Sequence, residues 1–133
     1  MTRAIELRIP TERPFHGVAR LVVGGLAARH DLSYEALEDL QLALVTVLEG
    51  ESYPAKDEVG VQLRVSDDSI EMLIGPLNGD RVRADLDSSG EELGLGRLLA
   101  TLVEDAKVEA REDGDWLRLS KRVRGIKPAG TNA

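Results

Sequence analysis

Ile5-Glu6-Leu7-Arg8-Ile9 alternates apolar and polar side chains, the period of a strand with one wet face. Pro10 ends it, Thr11 stands where it can cap a following helix, and Pro14 falls in that helix's first turn. Phe15, Val18, Ala19, Val22 and Leu26 recur at helical spacing and predict one buried stripe. Gly24-Gly25 weakens this helix by roughly 1 kcal/mol per glycine relative to alanine, which a close helix–helix contact within the chain or a dimer contact would explain. Ser33 is placed to cap a second helix, with Glu35 in its first turn and Leu37, Leu40, Leu44, Val47 and Leu48 on its inner face. Glu49 through Pro54 ends it.

Val59 to Val65 and Ile70 to Ile74 read as a hairpin turning at Ser66-Asp67-Asp68-Ser69. The polar stretch 75–93 reads as a long loop with room for one short element. Leu95, Leu98, Leu99, Leu102 and Val103 predict a third helix. Residues 107–111 and 116–120 predict a closing hairpin around Glu112-Asp113-Gly114-Asp115. Five strands and three helices follow, with hairpins that disfavour parallel winding. The fold class is α+β: a largely antiparallel five-stranded sheet with helices on one face, a two-layer sandwich. One domain is expected over 1–123, and residues 124–133 are expected to form a disordered tail.

Charge narrows the partners. The net charge is −7, and no basic stripe of the kind that tracks nucleic acid is present. Arg118, Lys121, Arg122, Arg124 and Lys127 make a small basic end, read as a solvated strand and tail. Protein partners are expected, nucleic acid and membrane are not, and no apolar run approaches the ~18 residues of a membrane span. Met1-Thr2-Arg3 runs straight into the first strand without a leader-like apolar core. With cysteine absent, a cytoplasmic location is expected.

Candidate chemistry is sparse. Gly94 and Gly96 stand at the start of an apolar helix, where free backbone N–H groups and the helix dipole suit a phosphate. They equally suit a tight loop end and close helix packing, and Glu91 and Glu92 would repel an anion. Arg97 could reach a phosphate or lie solvated. His16 and His30 lack companions at ligand spacing, so zinc is not expected. Asp85 and Asp87 read as solvated loop charges, Trp116 as core or edge packing.

Element order and motifs together resemble the anti-sigma-factor serine kinase branch of the histidine-kinase-like, Bergerat-type ATPases. The resemblance spans about Ile5 to Val123. It is carried by Leu37-Glu38-Asp39-Leu40-Gln41-Leu42-Ala43-Leu44 in the second helix, by Gly94-Leu95-Gly96-Arg97-Leu98-Leu99 as the second glycine box, and by Gly114 through Lys121 as the closing strand. It implies ATP with Mg²⁺ under a lid, sigma factors or their antagonists as partners, and a homodimer.

The resemblance also exposes what this chain lacks. The family's glutamate base falls at Thr46, whose hydroxyl does not ionise near neutral pH. The magnesium-binding asparagine falls at Gly50, which has no side-chain oxygen. In Leu73-Ile74-Gly75-Pro76-Leu77, aligned with the first glycine box, Leu73 replaces the adenine-reading aspartate and Leu77 the second glycine. A shift of a residue or two would bring Glu71 into consideration. No catalytic residue and no metal ligand are therefore expected; Gly75, Gly94, Gly96 and Arg97 remain as residual nucleotide contacts. The expectation is an anti-sigma-like regulator that binds protein, with ATP binding and kinase activity weakened or lost. The alternatives are an active ATP-dependent protein serine kinase with displaced site residues, and a nucleotide sensor without phosphate transfer.

Overall fold

A computed structural model of the chain describes residues 3–29, 32–87 and 94–122. Strand β1 (Arg3–Pro10) leads through a short 3-10 turn (Arg13–Phe15) into α1 (His16–Arg29) and then α2 (Tyr34–Leu48). Strands β2 (Glu58–Val65) and β3 (Ser69–Leu77) follow, then α3 (Gly79–Asp87), α4 (Leu95–Leu102), β4 (Asp105–Arg111) and β5 (Gly114–Arg122). The sheet order is β1-β2-β3-β5-β4, with every neighbouring pair antiparallel. The expected α+β sandwich is the observed architecture.

Side-chain alternation along the strands sorts the sheet into two faces. Ile9, Val59, Val61, Leu63, Val65, Ile70, Met72, Ile74, Leu117 and Leu119 meet the helices in one apolar core. Helix α2 supplies Leu40, Ala43, Leu44, Val47 and Leu48 to it, and α4 supplies Leu95, Leu99 and Leu102. Each such leucine contributes about 1.5–3 kcal/mol of burial. The opposite face carries Glu6, Arg8, Gln62, Arg64, Glu71 and Arg118 around a buried Leu73 and Trp116. Among the described residues no helix is long and apolar enough to cross a membrane.

Several expectations need correction. Thr11 does not cap a helix: its hydroxyl donates to the Asp57 carbonyl at 3.1 Å, while Glu12 precedes the 3-10 turn without a side-chain cap bond. The buried stripe of α1 is His16, Ala19 and Val23, with Val22 and Leu26 half-buried; Phe15 and Val18 face solvent. Ser33 does cap α2, accepting from the Ala36 amide at 3.0 Å. The stretch after Ile74 is not one long loop, because β3 runs on to Leu77 and α3 forms at once. Among the described residues there are therefore four α-helices, α3 being the short element for which this stretch had room beside the three that periodicity predicts. The remainder of that stretch, 88–93, and the tail 124–133 lie outside the described residues.

Candidate functional site

The end of α2 carries Thr46, with Gly50 just beyond it, the two positions at which the resemblance puts a base and a metal ligand. Thr46 sits within the helix, and its hydroxyl donates back to the Leu42 carbonyl at 2.7 Å. This local bond uses the side chain as a helix-satisfying group. The helix stops at Leu48, so Gly50 lies beyond it in the turn that follows. A Cβ added at Gly50 would collide with the ring of Tyr53. That ring is buried, and its hydroxyl donates to Asp85 Oδ2 on α3 at 2.6 Å. Burial, followed by the hydrogen bond to and charge of Asp85, pushes the Tyr53 hydroxyl far above its ordinary value. The Asn78 amide donates to the Tyr53 carbonyl at 2.7 Å, tying the turn to the start of α3.

Strand β3 carries the first glycine segment. Met72 and Ile74 face the helices, and Leu73 between them lies on the opposite face, paired with Gln62 and Arg118. Glu71 shares that opposite face with Leu73, by strand alternation, and sits 3.8 Å from Arg64. Toward the helices β3 thus presents Ile70, Met72 and Ile74, with no acid. Gly75 opposes Gly60 across the β2–β3 ladder, and together they form a flat floor on which the Trp116 indole rests. A Cβ at Gly75 would come within 2.5 Å of that ring, and one at Gly60 within 2.9 Å. Trp116 Nε1 donates to Asp113 Oδ1 at 2.8 Å, and the Arg111 guanidinium lies 4.8 Å from the ring centroid. Gly75-Pro76 is a cis peptide.

At the second glycine segment, Gly94 precedes α4 as its cap residue without a side-chain bond. Gly96 faces the carbonyl of Leu86 at the end of α3, so closely that a Cβ would collide with it. This close approach accounts for Gly96 without a ligand. Arg97 is exposed. Gly75 meets the Trp116 ring and Gly96 meets the Leu86 carbonyl, so each has a neighbour where a side chain would stand.

Sequence reasoning misses Tyr53 and misjudges Asp85. Tyr53 stands in a segment that reads as a helix terminator, and Asp85 in one that reads as a loop of solvated charges. The only signal is an aromatic three residues after a glycine, too common to weigh. Gly24 has the close contact expected for internal packing, since a Cβ there would lie 2.8 Å from Gln41 Nε2, which itself donates to the Arg20 carbonyl at 3.0 Å. His16 is buried, with Nε2 3.2 Å from the Thr11 carbonyl. Two residues of the basic end are paired rather than free: Lys121 lies 3.0 Å from Asp39 on α2 and Arg118 lies 3.6 Å from Glu109, while Arg124 and Lys127 lie outside the described residues.

No protein-family model matches the chain. Among curated proteins it is similar to the serine-protein kinase RsbW of Bacillus pumilus, at 32% identity over 80% of this chain and 78% of the relative. It is also similar to the serine-protein kinase RsbW of Halalkalibacterium halodurans, at 29% identity over 82% of this chain and 76% of the relative. Among solved structures it overlays the RsbU and RsbW domains of a Mycobacterium tuberculosis protein with a TM-score of 0.65 and 13% identity. That overlay covers 91% of this chain and 32% of the longer neighbour, and it speaks to the fold. With its sequence relatives covered over most of their length and its fold matched, this chain belongs to the RsbW family of anti-sigma-factor serine-protein kinases.

Proposed function

We propose that this protein is an anti-sigma-type regulator that acts by contact with a protein partner, a sigma factor or its antagonist, and that its ATP handling is weakened or lost. The observation that carries this reading is the Tyr53 ring lying against Gly50, where the resemblance puts the magnesium ligand. Thr46 supports it, because a hydroxyl bonded to its own helix offers no base. So does the wholly apolar helix-facing side of β3, since an adenine amino group finds no acceptor there. Neither the Thr46 position nor the Gly50 position fits a Mg²⁺–ATP complex, and the proposed mode of action contains no phosphate transfer.

Contact with a protein has its own support on α1. Val18 and Leu21 are exposed there, Leu21 at 75%. The charged residues from Arg13 to Arg29 are all arginines, on a chain whose net charge is −7. Exposed apolar side chains on a helix whose own charges are arginines suit an acidic protein surface. The cytoplasm is the compartment such a regulator would occupy.

The alternative is an active protein serine kinase, which the names of the relatives favour. Calorimetric titration with ATP and Mg²⁺, paired with thermal melting, separates the two. A contact regulator should give no binding heat at millimolar ATP and no melting shift. A binding kinase at ligand near 100 times Kd would gain about 2.7 kcal/mol, and that result would displace the regulator reading.

A further inference from the structure

Helix α3 is thinly anchored for an element that packs beside the turn following α2. Of its apolar side chains, Val82 is fully buried and Leu86 half-buried. Its ion pairs Arg81–Asp85 at 3.6 Å and Arg83–Asp80 at 3.3 Å lie within the helix and do not tie it to anything else. Arg83 also stands 3.8 Å from Asp115 on β5, but its side chain is 46% exposed, and exposed pairs contribute little. Backbone holds the start of the helix, through the Asn78 amide and the Tyr53 carbonyl at 2.7 Å, and the body of the helix is held by the 2.6 Å side-chain bond from the Tyr53 hydroxyl to Asp85, made by a buried donor to a charged acceptor. Segments with few buried apolar contacts open locally at lower cost than the core around them.

We propose that α3 opens as a unit separate from the rest of the fold, and that the Tyr53–Asp85 hydrogen bond is the latch that holds it shut. Opening uncovers the Tyr53 ring and Gly50 behind it. As regulation of access to that region it rests on the site assignment above, while the opening itself needs no nucleotide to be seen. Helices α2 and α4, by contrast, each insert at least three buried apolar side chains into the core.

Native-state hydrogen exchange on the full chain tests this in the wild type and in Tyr53→Phe, which keeps the ring and removes the donor. Loss of a hydrogen bond to a charged group should speed exchange of the α3 amides roughly ten- to a hundredfold. In the wild type the α3 amides should exchange through an opening of lower free energy and weaker denaturant dependence than the amides of β2, β3 and β5, which also speed up in Tyr53→Phe because global unfolding breaks the same bond. A second variant, Ser33→Ala, removes the α2 cap and serves as a control, because it weakens the protein without touching the latch; it should not single out α3. Equal α3 exchange in wild type and Tyr53→Phe would overturn the latch. Wild-type α3 amides that share the exchange free energy and denaturant dependence of the β2, β3 and β5 amides would overturn separate opening. Calorimetric binding of ATP would count against the functional reading and leave this result standing.

Discussion

Gly75→Ala separates two explanations of a glycine that the family resemblance assigns to nucleotide. The added Cβ would sit 2.5 Å from Trp116 Cγ, 2.6 Å from Cδ2 and 2.9 Å from Cδ1. Ordinary carbon–carbon contact needs ~3.5 Å, so the indole would have to retreat by about 1 Å. It has nowhere to go. The ring is 2% exposed, its Nε1 is held by Asp113 at 2.8 Å, and the Arg111 guanidinium lies over it. Overpacking of this kind costs about 1–3 kcal/mol. With unfolding entropy of ~2.1 cal/mol/K per residue, a loss of about 2 kcal/mol lowers the Tm of this chain by roughly 7 °C. The assay is thermal melting without nucleotide, in wild type, Gly75→Ala, Trp116→Leu and the double variant. Removing the indole frees the space, so Gly75→Ala in the Trp116→Leu background should cost under ~0.5 kcal/mol, a non-additivity above ~1 kcal/mol. Unchanged melting in Gly75→Ala, or the same drop in both backgrounds, would refute the assignment of this glycine to the tryptophan.

Two pH experiments address the hydrogen bonds of Tyr53 and Asp113. The Tyr53 hydroxyl is raised from an ordinary 10.0, so the folded state keeps its proton where the unfolded chain gives it up. Its contribution is complete below pH 10 and shrinks above it. Denaturant titrations from pH 10 upward should show wild type losing about 1.4 kcal/mol per pH unit relative to Tyr53→Phe, and parallel curves would argue against a buried Tyr53 hydroxyl. Asp113 moves the other way, because the Trp116 indole N–H bonded to it holds its carboxyl below the ordinary 3.8. Its contribution is present above that value and lost as pH falls through the lower, folded-state one. Emission from the single tryptophan should step there in wild type and not in Asp113→Asn; an identical step in both would rule out Asp113 as its source.

Ser33, Leu40, Leu44, Val47 and Leu48 show how far local chemistry reaches. A hydroxyl before a helix and leucines at helical spacing leave the chain little choice, and the cap and the core face of α2 are where the sequence puts them. The two hairpins follow from alternation and turn residues in the same way, and they dictate an antiparallel sheet with one apolar face. Helix α1 is different: its apolar residues surround it almost evenly, so periodicity could not choose between Val18 and Val23, and packing into the core and against α2, where Gly24 meets Gln41, made that choice. Helix α3 is polar enough to read as loop, and forms around one buried valine and the tie to Tyr53.

The amino-acid sequence alone therefore determined the layers, the two hairpin pairings and the absence of an ionisable side chain at positions 46 and 50, because these depend on residue type and near-neighbour spacing, while the β1–β2 and β3–β5 pairings were decided by tertiary structure. Tertiary structure alone decided what the glycines are for. Whether a missing Cβ admits a phosphate, an indole, a phenol ring or a carbonyl is a question of which atoms arrive from distant parts of the chain. Here Gly75 receives Trp116, Gly50 receives Tyr53 and Gly96 receives the carbonyl of Leu86.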